Sequence, residues 1–171
     1  KQFFIPGHVF DYMDATNYWI RHFDNPHQPK ALYLEALFIN DAVAFDSIFK
    51  NDPLETLPDV DPNRDGGVIL DELYQAIAEQ KPALAMSLTD AYLKGHADAS
   101  GLIQTMVLAS GRFQNDPHIA RMTMTGTEEY ENNTTSRKND MLMALANYLA
   151  GYGKRTMALD CHELYKRYFV N

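Results

Sequence analysis

Apolar residues in this chain recur at intervals of three and four, and almost nowhere at intervals of two, so the fold is restricted to helices. Val9, Tyr12, Met13, Thr16, Trp19, Ile20 and Phe23 form one such stripe, which Pro26 and Pro29 stop. Leu34, Leu37, Phe38, Phe45, Ile48 and Phe49 form a second, running to about Lys50. Asp52, Pro53 and Glu55 read as the capped start of a helix that Pro58 keeps short. Leu73, Ala76 and Ile77 predict a helix interrupted near Pro82, and Leu84, Leu88, Ala91 and Tyr92 another that runs to Gly95. Leu102, Ile103, Met106 and Val107 follow, closed by Gly111. Asp116-Pro117 opens a helix that Gly126 ends or weakens. Met141, Leu142, Leu145, Tyr148 and Leu149 mark the next, and Cys161, Leu164, Tyr165, Tyr168 and Phe169 the last. A strand of two or three residues is conceivable only at Val68 and Ile69. The expected class is all-α with about seven helices. The polar stretch 125–138, TGTEEYENNTTSRK, is expected to be an exposed connection.

At 171 residues the chain is long enough to bury a core and is most simply a single domain, with a part at 1–80 and a helical bundle at 83–171. Its 15 basic and 23 acidic residues give a net charge of -8, which disfavours nucleic acid and anionic membrane surfaces and suits cations or solubility alone. One cysteine, Cys161, allows no internal disulfide and is expected to pack on the apolar face of the last helix. No apolar run approaches the roughly 18 residues that span a bilayer. No segment reads as a secretory or transit leader, and a start at Lys1 without methionine is consistent with a removed leader or tag.

The most specific stretch is Asp61 to Glu72, DPNRDGGVILDE. Oxygen-bearing side chains at alternate positions converge on one point when the backbone coils tightly, and a glycine at the sixth position permits the bend. A glutamate at the twelfth closes the sphere with two oxygens. Asp61, Asn63, Asp65, Gly66 and Glu72 meet these requirements together. The stretch resembles an EF-hand calcium-binding loop. The resemblance implies Ca²⁺ held by the side chains of Asp61, Asn63 and Asp65, the backbone carbonyl of Gly67 and two oxygens of Glu72. It implies that Val68 pairs with a neighbouring loop in a short strand. Ile69 departs from the pattern, because the family often has a polar side chain there that holds a water. The competing reading is an acidic turn that caps the following helix, which needs neither Asn63 nor Glu72.

EF-hands usually occur in pairs. Asp24 to Glu35, DNPHQPKALYLE, has the terminal acids and lies 37 residues upstream, but Pro26, Gln28 and Pro29 replace the central ligands and the glycine. It is either a degenerate, non-binding partner loop or two helices joined by a proline-rich turn. The resemblance covers 12 residues firmly and residues 9–80 loosely. With Met122, Met124, Met141 and Met143 dispersed, no methionine-lined groove of the calmodulin kind is evident, so the ion is expected to be structural.

Elsewhere the chemistry is sparse. His8, Asp11 and Asp14 share a helix face, as do Asp14, Tyr18 and His22, and both sets lie opposite the apolar stripe, where a solvated face is expected. Asp41 falls between Leu37 and Phe45 on the second stripe, where a carboxylate needs a partner such as Arg112 or Arg121. His96-Ala97-Asp98 is placed to cap the helix that follows. ASGLIQTM, residues 99–106, resembles a fragment of lysozyme-like transglycosylases, but those place a catalytic Glu shortly upstream and none lies between Glu79 and Ala99. Two functions remain open. One is a calcium-bearing binding or assembly component with a protein partner. The other is a helical enzyme with a structural calcium and a site built from groups such as Asp41, His96 and His118.

Overall fold

The computed structural model describes residues 4–46, 56–113, 117–152 and 165–169. Among the described residues seven long helices follow one another: α1 (Phe4–His22), α2 (Gln28–Asp46), α3 (Gly66–Ala78), α4 (Pro82–Gly95), α5 (Ser100–Arg112), α6 (Pro117–Asn132) and α7 (Lys138–Tyr152). Residues 165–169 are also helical, and no strand occurs among the described residues. The all-α class follows directly from the spacing of the apolar residues. No described helix is long and apolar enough to cross a membrane. The chain divides into two compact units, Lys1–Leu54 and Glu55–Asn171.

The first unit is a hairpin of α1 and α2. Its turn, residues 23–27, is pinned by the Asn25 side chain, which accepts from the His27 amide at 2.8 Å. Residues 24–35 are thus a short turn followed by the first two turns of α2. Tyr12 and Phe38 meet edge to face with centroids 5.8 Å apart, tying the two helices. Val9 and Thr16 of the expected stripe are buried, but so are Asp11 and Asp14. Both acids have partners, so the face opposite the stripe is solvated at Tyr18 and His22, as its polarity suggests, but not at Asp11 and Asp14. On α2 the reverse happens: Leu34 and Leu37 are more than half exposed. A two-helix hairpin has only one inner seam, and apolar residues that surround a helix cannot all lie in it. Asp41 is exposed too.

The second unit is a bundle with α7 at its centre, packed against α3, α4, α5 and α6. Its core is fully enclosed: Ile69, Leu73 and Ile77 of α3, Leu88 of α4, Leu102 and Met106 of α5, Ile119 of α6, and Leu142 and Leu149 of α7. Ile69, Leu73, Ala76 and Ile77 recur at four, three and one, which puts them on one side of α3. That helix ends in a Schellman arrangement. The Lys81 amide reaches back to the Ala76 carbonyl at 2.9 Å and the Gln80 amide to Ile77 at 3.2 Å, with Gln80 left-handed at φ 59°.

α6 runs through Gly126 to Asn132, so the exposed connection shrinks to residues 133–137. The reason is packing. Gly126 is buried, and a Cβ there would lie 3.3 Å from Leu145 of α7, so the glycine serves helix approach and does not end the helix. Thr125, expected in the connection, is fully buried beside it. Cys161 and Leu164 of the last stripe, and the short helix expected from Asp52, fall on or begin in stretches outside the described residues.

Candidate functional site

Residues 56–61 have no regular structure, so no described helix leads into Asp61. A tight turn follows at 62–64, and α3 then starts at Gly66. Within that turn the Asp61 carboxylate accepts from the Asn63 backbone amide at 2.9 Å and from the Asn63 side-chain amide at 3.0 Å. These two bonds, with help from the Arg64 charge, hold the Asp61 carboxyl below the usual carboxylate range. Asp61, Asn63 and Asp65 are all exposed.

Past Asp65 the chain does what a helix needs. Asp65 is the N-cap of α3, its side chain accepting from the Val68 amide at 3.1 Å. Neither Gly66 nor Gly67 has positive φ, and both belong to the first helical turn. The Gly67 carbonyl therefore points along the axis into the helical ladder. Val68 is helical and half exposed, and Ile69, the ninth residue of the stretch, is buried in the core. Glu72 sits two turns into α3 and is ion-paired to Arg64, which in turn has its own pKa raised by that bond.

Of the five candidate metal donors, Asp61, Asn63 and Asp65 thus lie together on one exposed turn, while Gly67 and Glu72 belong to α3. Two carboxylates and an amide on alternate residues suit a hard divalent cation in donor chemistry. The second half of the stretch is built as a helix start. Among the described residues no group of three or more His, Cys, Asp or Glu is arranged to hold a metal ion.

The turn has a platform that the sequence did not reveal. A Cβ on Gly95, at the end of α4, would lie 1.8 Å from the Pro62 carbonyl oxygen and 2.9 Å from its carbon. A Cβ on Gly66 would meet the His96 ring at 3.1 Å and Tyr92 at 3.3 Å. Tyr92 and His96 stack on each other with centroids 4.7 Å apart, and the buried His96 Nε2 has no hydrogen-bond partner among the described residues. Tyr92 also reaches α5, where a Cβ on Gly101 would be 3.1 Å from its hydroxyl. Burial, reinforced by the Asp98 charge, raises the Tyr92 pKa. Gly95 reads in the sequence only as a helix stop; nothing local shows that Pro62 rests on it. Asp98 does cap as expected, accepting from the Ser100 backbone amide at 2.9 Å and from its hydroxyl, which lowers its pKa.

The other candidates belong to different elements. His118 is exposed in the first turn of α6, and His96 is committed to Tyr92 and Gly66. In the hairpin, Tyr12, Leu34, Leu37, Phe38 and Asp41 line an open groove of about 340 Å³. The chain matches no family model, no curated protein and no solved structure.

Proposed function

We propose that this chain is a helical binding or assembly component that carries one structural Ca²⁺ on the turn at Asp61, Asn63 and Asp65. The observation that carries the binding reading is the surface of α2. Tyr33, Leu34 and Leu37 are 73%, 57% and 61% exposed, and Leu34 and Leu37 line the groove over Tyr12 and Phe38. Contiguous exposed apolar surface is characteristic of interaction sites. An enzyme reading has less support, because Asp41, His96 and His118 lie on different elements: in α2, at the end of α4 and in the first turn of α6.

The calcium part rests on donor chemistry: hard oxygens on alternate exposed residues, with the Asp61 carboxyl held below its ordinary range by the Asn63 hydrogen bonds. Glu72 is the donor that the resemblance adds, and it is shared with Arg64. Calorimetric titration with Ca²⁺ tests the ion. Heat should appear with the wild type and vanish with Asp61→Asn, and equal heats in both proteins would remove the calcium reading. Thermal unfolding of a Leu34→Glu/Leu37→Glu variant tests the surface. The midpoint should be unchanged, whereas a loss of several degrees would mean that these side chains serve packing and not a partner.

A further inference from the structure

We propose that the occupant of the exposed α2 face is a second copy of this chain, its α2 laid antiparallel on the first so that Lys30 of each copy meets Asp41 of the other. This partner presupposes the interaction surface proposed above and owes nothing to the calcium reading. Lys30, Leu34, Leu37 and Asp41 recur along α2 at intervals of four, three and four. At about 100° per residue they fall in one stripe about 60° wide, and all four are exposed. The stripe is symmetric in spacing and opposite in charge at its ends: a cation, two leucines, an anion. A two-fold axis midway between Glu35 and Ala36 brings Leu34 level with Leu37 of the second copy and Lys30 level with its Asp41. The chain thus carries the complement of its own surface.

The first unit also has a reason to take such a partner. It is a two-helix hairpin whose buried apolar side chains, among the described residues, are Val9 and Ala31. Units of this size usually need oligomerisation or another staple. Each helix has 19 residues and is roughly 28 Å long, so the hairpin presents a face of roughly 28 by 20 Å. That is on the order of the 800 Å² that each partner contributes to a standard interface. Leu34 and Leu37 line the groove with Tyr12 and Phe38, so the leucines of one copy find an apolar bed in the other. Two hairpins packed in this way make a four-helix bundle. Apolar burial supplies the association, and the two ion pairs at the rim add little to it. They set the register instead, because a parallel pairing would bring Lys30 to Lys30 and Asp41 to Asp41.

The test is sedimentation velocity of the full chain over a dilution series, with far-ultraviolet circular dichroism on every variant. The wild type should be a dimer that dissociates at micromolar concentration, and Leu34→Glu/Leu37→Glu should be a monomer of unchanged helix content. Lys30→Glu and Asp41→Lys should each weaken the dimer by about tenfold or more, because each sets two like-charged pairs across the two-fold axis. The double variant Lys30→Glu/Asp41→Lys restores both pairs and should return to within about threefold of the wild type. Single and double charge variants that dimerise alike would overturn the antiparallel register. A wild type that is monomeric at every concentration would overturn the second copy as occupant and leave the α2 surface to a different protein. Unfolding of Leu34→Glu/Leu37→Glu at a dilution where the wild type is monomeric separates the two levels. A midpoint several degrees below the wild type there would overturn the interaction surface itself, and the dimer with it.

Discussion

The hairpin and the bundle obey the same apolar periodicity and come to opposite ends. In α3 the residues Ile69, Leu73 and Ile77 are at most 1% exposed, whereas in α2 the residues Leu34 and Leu37 exceed 50%. Position in the helix does not distinguish them, and neither does residue type. The number of neighbours does: α3 packs against α4, α5 and α7, and α2 packs against α1. A helix buries as much of its circumference as it has partners to cover it. Spacing therefore announces a helix without announcing a core.

The sharpest way to break this contrast is a pair of truncations. Leu88→Ala, at a fully enclosed position in the bundle, should cost about 2–5 kcal/mol in urea unfolding. Leu37→Ala in the hairpin should stay within about 0.5 kcal/mol. Equal costs would mean that α2 is buried to the same degree as α4. Asp65→Ala tests whether the turn ahead of α3 supports the bundle. Loss of the cap to Val68 should cost about 1 kcal/mol without calcium present. A smaller gain is expected from Gln80→Gly, which relieves the left-handed backbone at the end of α3 by about 0.5–1 kcal/mol. An unchanged or lowered stability would show that the Gln80 side chain offsets its conformation.

The last effect is set by pH. Asp61 and Asp98 both have carboxyls held below their ordinary value by hydrogen bonds, in Asp98 from the Ser100 hydroxyl and amide. A depressed folded pKa contributes stability above the unfolded value of about 3.9 and loses it as pH falls through the folded value. The bundle should accordingly lose stability on acidification below about pH 4. Asp98→Asn should flatten that part of the profile, measured as unfolding midpoints from neutral to strongly acidic pH. A profile unchanged in the variant would dissociate the Asp98 hydrogen bonds from stability.

Much of the helix pattern was legible. Pro82 at the start of α4, Pro117 at the start of α6 and the turn at Pro26 fall where the proline ring requires them. Gly126 is ambiguous in the sequence because a glycine inside a helix has two opposite uses, ending it or admitting a neighbour, and only Leu145 decides between them. At Asp11 and Asp14 polarity predicts exposure, but both are buried, and burial of a partnered acid leaves no local mark in the sequence. The exposed position of Asp41 follows from the hairpin's lack of a second seam.

The stretch DPNRDGGVILDE shows the same division. By itself the sequence determined an acidic turn in front of an amphipathic helix, because Asx side chains bond their own backbone two or three residues on. It also placed three hard oxygen donors on alternate residues of that turn. Tertiary structure decided where the helix begins, because Ile69 is drawn into the core and takes Gly66 and Gly67 with it. It also decided what the turn rests on, since Pro62 and Gly95 lie 33 residues apart and meet only when α3 and α4 fold together.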